Sequence, residues 1–104
     1  MTDIELMQRA AKAAGIKLDV WEDHRGDGTK DIKLRFAGAP HAAFDPLASD
    51  ADAFQVLIGS GVRVLVNDHT VVADAGAILF NYHYTGDRAA ATRKAIVEVA
   101  AVLV

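Results

Sequence analysis

A chain of 104 residues, 52% of them hydrophobic, with no cysteine and a formal net charge of −3 at pH 7, has the size of one domain and enough apolar material for a core. The missing thiols exclude a disulfide scaffold, thiolate catalysis and zinc-thiolate sites. The acidic balance argues against general binding to a phosphate backbone, which depends on clustered Lys and Arg.

The N-terminal residues Met1, Thr2 and Asp3 show neither the basic region nor the apolar run of a signal peptide, and no stretch approaches the roughly 18 apolar residues of a bilayer span. A soluble, cytoplasmic protein without membrane association is the expectation. Thr2 followed by Glu5 reads as a capping box, and Ile4, Met7, Ala11 and Ala14 recur at helical spacing until Gly15, which predicts a short first helix. Ile16, Leu18 and Val20 then alternate with Lys17 and Asp19, the pattern of a strand with one buried face. Trp21 follows on the opposite parity. The polar run over residues 22–31 predicts a hairpin turn or loop, and Ile32, Leu34 and Phe36 alternate as a second strand. On it Lys30, Lys33 and Arg35 form the densest basic alternation; a solvated strand face explains them, and nucleic-acid contact is not expected.

Residues 37–46 are small and punctuated by Gly and Pro, which marks a connection. Pro46 biases Asp45 away from helical geometry. Ser49 then serves as N-cap, with Asp52 at the N3 position and Asp50 favoured by the helix dipole. Phe54, Leu57 and Ile58 are the expected buried stripe of this second helix, which ends at residues 59–61. Val62, Val64 and Val66 alternate next, a turn at residues 67–70 leads to Val71 and Val72, and the run over residues 77–84 is a last strand. On that strand Ile78, Phe80, Tyr82 and Tyr84 occupy one side, and Leu79, Asn81 and His83 the other. Asp87 caps a final helix whose stripe holds Ala91, Ala95, Val99 and Val102, flanked by Ile96, Ala100 and Leu103. The order is helix, strands, helix, strands, helix. Three helices and about five mostly antiparallel strands predict one α+β domain, with helices covering both sheet faces.

The run from Phe44 through Asp45, Pro46, Leu47, Ala48, Ser49, Asp50, Ala51 and Asp52 to Ala53, the Trp21 strand, and the closing helix with Arg93, Ala95 and Ile96 resemble the bacteriophage ABA-sandwich domain family of small phage and prophage proteins. Many of its members carry tryptophan where Phe44 stands. The resemblance implies an α/β/α layered sandwich over residues 1–104 and a phage context with a host or phage protein as partner. It carries over no reaction and no catalytic residues.

The residues themselves suggest no catalytic set, no cofactor motif and no metal-ligand motif. His41, Asp45, Asp50 and Asp52 are the nearest approach to a metal or acid–base site, since hard cations need several converging carboxylate oxygens; the turn and the helix cap account for the three aspartates without a metal. His83 lies between Tyr82 and Tyr84 but faces away from both, and lacks a positioned partner. Asp68 and His69 lack a serine on a nucleophile elbow. The expected activity is therefore non-enzymatic: binding of a protein partner, or self-association into a homo-oligomer. Sheet edges and a surface including Trp21, Phe44, Tyr82, His83 and Tyr84 are the candidate contacts. For Trp21 and Phe44, core packing is the competing role.

Overall fold

The computed structural model describes residues 1–24, 26–39, 41–76 and 78–104. Ala77, expected to open the last strand, lies outside the described residues, as do Arg25 in the hairpin loop and Pro40 in the connection. The described residues form helices α1 (Asp3–Ala13), α2 (Asp50–Ser60) and α3 (Arg88–Val102), and strands β1 (Leu18–His24), β2 (Lys30–Phe36), β3 (Arg63–Val66), β4 (Thr70–Asp74) and β5 (Leu79–His83). The chain is an α+β fold with the predicted order of elements. Its strands divide between two antiparallel sheets, the hairpin β1-β2 and the meander β3-β4-β5.

Local chemistry sets the helix ends. Thr2 accepts a hydrogen bond from the Glu5 backbone N–H through its hydroxyl at 3.2 Å, satisfying one of the donors that a helix start leaves open. At the other end of α1, Gly15 takes φ 72°, Gly15 N–H donates to Lys12 O, and Ile16 N–H donates to Ala11 O at 2.9 Å. That pair of bonds is a Schellman ending, which a residue with a Cβ would strain. Ser49 caps α2 by accepting from Asp52 N–H, and Asp87 caps α3 by accepting from Ala90 N–H.

Helix α3 is the centre of the molecule. Ala95, Ile96, Val97, Val99, Ala100 and Ala101 are all buried, an arc wider than one stripe that leaves Lys94 and Glu98 on the side nearest solvent. The three-stranded sheet packs on one side of it, and α1 and α2 pack on the other, with α1 also resting on β2. Val102, expected on the buried stripe, and Leu103, expected beside it, are exposed; Val102 falls one turn after Glu98 on the side nearest solvent, while Val99, Ala100 and Ala101 of the same turn are buried.

The hairpin is longer than its polar loop suggested. β1 and β2 pair from Leu18 opposite Phe36 to His24 opposite Lys30, so that much of the 22–31 run is strand. Its predicted buried face fades along its length: Leu34 is 3% exposed, whereas Val20 is 53% and Ile32 41% exposed. Only the proximal half reaches the helices, and the chain is elongated, 44 × 29 × 23 Å with a radius of gyration of 14.3 Å, against about 13 Å for a compact chain of about 100 residues. Residues 42–44 turn back along β2, where Phe44 N–H donates to Leu34 O at 2.8 Å and Phe36 N–H to Ala42 O at 3.0 Å. This return places Phe44 in the core, edge-on to Phe36 with ring centroids 5.4 Å apart.

Candidate interaction surface

Helix α2 departs from the sequence expectation at two of its three stripe residues, whereas Leu57 is partly buried against the core. Phe54 and Ile58 are 59% and 67% exposed, while Ala53 and Val56 are buried. The small side chains at Ala53, Val56 and Gly59 let α2 come close to its neighbours; a Cβ added at Gly59 would lie 2.9 Å from Ala14 Cβ and nearer still to the Ala14 carbonyl oxygen. Phe54 and Ile58, one helical turn apart, belong to the other side of the helix. Both sides of α2 are apolar, and the side with the smaller residues is the one packed inside.

Phe54 and Leu57 of α2, Val64 and Val66 of β3, and Ala89, Thr92 and Ile96 of α3 line an open groove of about 490 Å³. Its walls are almost wholly apolar and its rim is polar. At one end Arg93, itself mostly buried, donates from Nε to Leu47 O at 2.9 Å and pairs through Nη1 with Asp50 at 2.6 Å. At the other, Arg88 Nε donates to Tyr84 Oη at 2.8 Å, and Tyr84 donates in turn to Asn67 O at 2.7 Å. Arg88 Nη2 also lies 3.7 Å from the exposed Asp68 carboxylate. An apolar floor within a polar rim is the anatomy of a protein-binding patch.

The groove borders a free strand edge. β4 lies between β3 and β5, so that among the described residues β3 has β4 as its one neighbour in the sheet. Asn67 N–H donates to Thr70 O at 2.8 Å, and Leu65 and Arg63 alternate with that pair in register with Val72 and Asp74. The peptide groups of Val64 and Val66 therefore point away from β4, toward the groove side. The opposite face of the sheet carries Leu65 at 61% and Leu79 at 64% exposure, and Arg63 there pairs with Asp74 at 2.9 Å. Hydrogen bonds from the Arg63 guanidinium, and then from Gly76 N–H, hold the Asp74 carboxyl below the ordinary carboxylate range.

The other residues singled out by sequence fall in several places. Trp21 is 42% exposed on the hairpin, with the Arg35 guanidinium 4.9 Å from its ring, a cation–π contact on the strand face opposite Leu34. Phe44 is buried. Tyr82 stacks on Phe80 at 6.0 Å; burial and then a hydrogen bond with Glu98 push its phenol well above its ordinary value, so it stays protonated at neutral pH. His83 is exposed on the opposite side of β5, as its parity required. Tyr82, His83 and Tyr84 border one shallow recess with Asp87 and Lys94, whereas Trp21 and Phe44 belong to the hairpin region.

The aspartates each hold a structural partner. Asp52 Oδ2 accepts from Asp45 N–H at 2.8 Å, Asp45 Oδ1 accepts from Ala48 N–H at 3.2 Å, and Asp50 holds Arg93. His41 borders a different groove, between α1 and β2, together with Asp45. Among the described residues no three His, Cys, Asp or Glu side chains group as a metal site, and no helix is long and apolar enough to cross a membrane.

Sequence reasoning missed the groove. The available signal was the crowding of Ala53, Phe54, Val56, Leu57 and Ile58, more apolar positions than one helix face can hold. Comparison with protein-family models, curated proteins and solved structures gives no match to this chain.

Proposed function

We propose that this protein is a non-enzymatic accessory protein of a phage or prophage that works by self-association or by binding a protein partner, and that it does so through the groove between α2, β3 and α3. The observation that carries the reading is the position of Phe54: a large aromatic side chain, 59% exposed, on the rim of an apolar groove beside an unpaired strand edge. Covering Phe54 alone removes on the order of 100 Å² of apolar surface from water, worth about 2.5 kcal/mol. Ile58 and Val66, at 67% and 39% exposure, extend the same surface, and contiguous apolar patches of this kind mark interaction sites. The phage context rests on the resemblance of residues 44–53 and the closing helix to the ABA-sandwich family.

The test is Phe54→Asp. Its side chain is outside the core, so the variant is expected to melt within about 0.5 kcal/mol of the parent while losing association in sizing with light scattering. A variant that folds and associates like the parent would remove the groove from the reading.

A further inference from the structure

We infer that a second copy of this chain occupies the β3 edge, joining two three-stranded sheets into one continuous antiparallel sheet of six strands; the inference rests on the binding reading above and names its partner. β3 is short and opens on the charged Arg63, but its centre is open to edge pairing. Its sequence between Arg63 and Asn67 is Val64, Leu65, Val66, with no proline, no lysine and no inward charge, the devices that blunt exposed edges. The outward peptide groups belong to Val64 and Val66.

Antiparallel pairing of β3 with its own copy about a twofold axis keeps the groove faces on one side only if residues of equal parity meet. The register that places Leu65 opposite Leu65 of the partner subunit fulfils this. It puts Val64 opposite the partner's Val66 in a hydrogen-bonded pair, uses all four outward peptide groups across the two copies, and sets Arg63 against the partner's Asn67 at the polar rim. On the outer face Leu65 meets its own copy; on the inner face the two grooves merge.

Phe54, Ile58, Leu65 and Val66, at 39% to 67% exposure, contribute roughly 400 Å² of apolar surface per copy before any backbone is counted, about half of the roughly 800 Å² per partner of a standard interface. The partner's β3 and α2 supply an identical surface, as a twofold interface requires.

The chain has no cysteine, so a single introduced thiol reports the register cleanly. Leu65→Cys places two thiols at a non-hydrogen-bonded pair on the axis, where side chains stand close enough for a disulfide. Under mild oxidation it is expected to give a covalent dimer as the main species, while Leu79→Cys, equally exposed on the same sheet face but at the far edge, stays mostly monomeric. Val66→Pro removes an N–H that points away from β4, so the β3-β4 ladder survives, and the variant should size as a monomer with an unchanged far-ultraviolet circular dichroism spectrum. If the unmodified chain is dimeric but Leu65→Cys cross-links no better than Leu79→Cys, or if folded Val66→Pro remains dimeric, the edge pairing is overturned while the binding reading stands. If the unmodified chain is monomeric at every concentration, the edge pairing is overturned and the groove is left to a different protein. Should Val66→Pro not fold, the two cysteine variants decide alone.

Discussion

Gly59 of α2 sits directly against Ala14 at the end of α1, so close that a Cβ at Gly59 would stand 2.9 Å from the Ala14 Cβ. This contact seats the C-terminal half of α2 on the helical layer and leaves Phe54 and Ile58 facing outward. Helix propensity alone favours Gly59→Ala by up to about 1 kcal/mol. The contact is to backbone as well as to a Cβ, so the helices must separate, and overpacking costs about 1–3 kcal/mol. We expect Gly59→Ala to be neutral to destabilising by about 2 kcal/mol in urea titration. A gain of the full propensity increment would show that α2 is not seated as described.

Arg93 ties the turn before α2 to the central helix across 46 residues of sequence. Its two bonds, to Leu47 O and Asp50, use the fork of the guanidinium, which a lysine ammonium does not reproduce. Arg93→Lys should destabilise by about 1–2 kcal/mol, and Arg93→Met by about 2–3 kcal/mol, since hydrogen bonds to charged groups are worth about 1.5–3 kcal/mol. Asp50→Asn should cost less than either, because Asp50 is 77% exposed. Denaturant midpoints of the three variants check the ranking.

Asp52 separates a structural role from a metal-binding one. Its carboxylate accepts from Asp45 N–H and stabilises the turn that feeds α2. Asp52→Ala should lower stability by about 1 kcal/mol, a cap-sized loss, and leave the metal content of the purified protein unchanged by mass spectrometry. Loss of a bound metal with the fold intact would instead support acid–base or metal chemistry around His41 and Asp45.

Tyr82 makes stability pH-dependent on the alkaline side. Its phenol is raised above the ordinary value of 10.0 by burial and by Glu98, so folding favours the protonated form. The contribution is intact below about pH 10 and is lost progressively as the pH climbs above that value. Tyr82→Phe, with no phenol to ionise, should be less stable than the parent by roughly 1 kcal/mol at neutral pH, and should lose stability less steeply between about pH 10 and 11. Parallel curves for the two proteins would contradict the upward shift that burial, and then Glu98, impose on the Tyr82 phenol.

What was legible in the sequence was local. Thr2 with Glu5, Ser49 with Asp52, and Asp87 mark the helix starts because capping bonds span only three residues. Strand parity placed Tyr82 and His83 on opposite faces of β5 for the same reason. Even so, Asp52 directs its carboxylate to Asp45 N–H rather than to the cap residue, since the preceding turn brings that donor closer. The division into two sheets has no local signature: it follows from the return of residues 42–44 to β2 and from α2 intervening before β3. The groove was hidden by composition. Along α2 the apolar positions surround the helix, and only the close approach at Gly59 selects Ala53 and Val56 for the interior.

Sedimentation equilibrium of the unmodified chain, run beside Phe54→Asp over a wide concentration range, decides whether the chain self-associates through the groove. The parent is expected to be a reversible or tight dimer and the variant a folded monomer. A parent that stays monomeric at the highest concentrations, indistinguishable from Phe54→Asp, would contradict self-association through this surface.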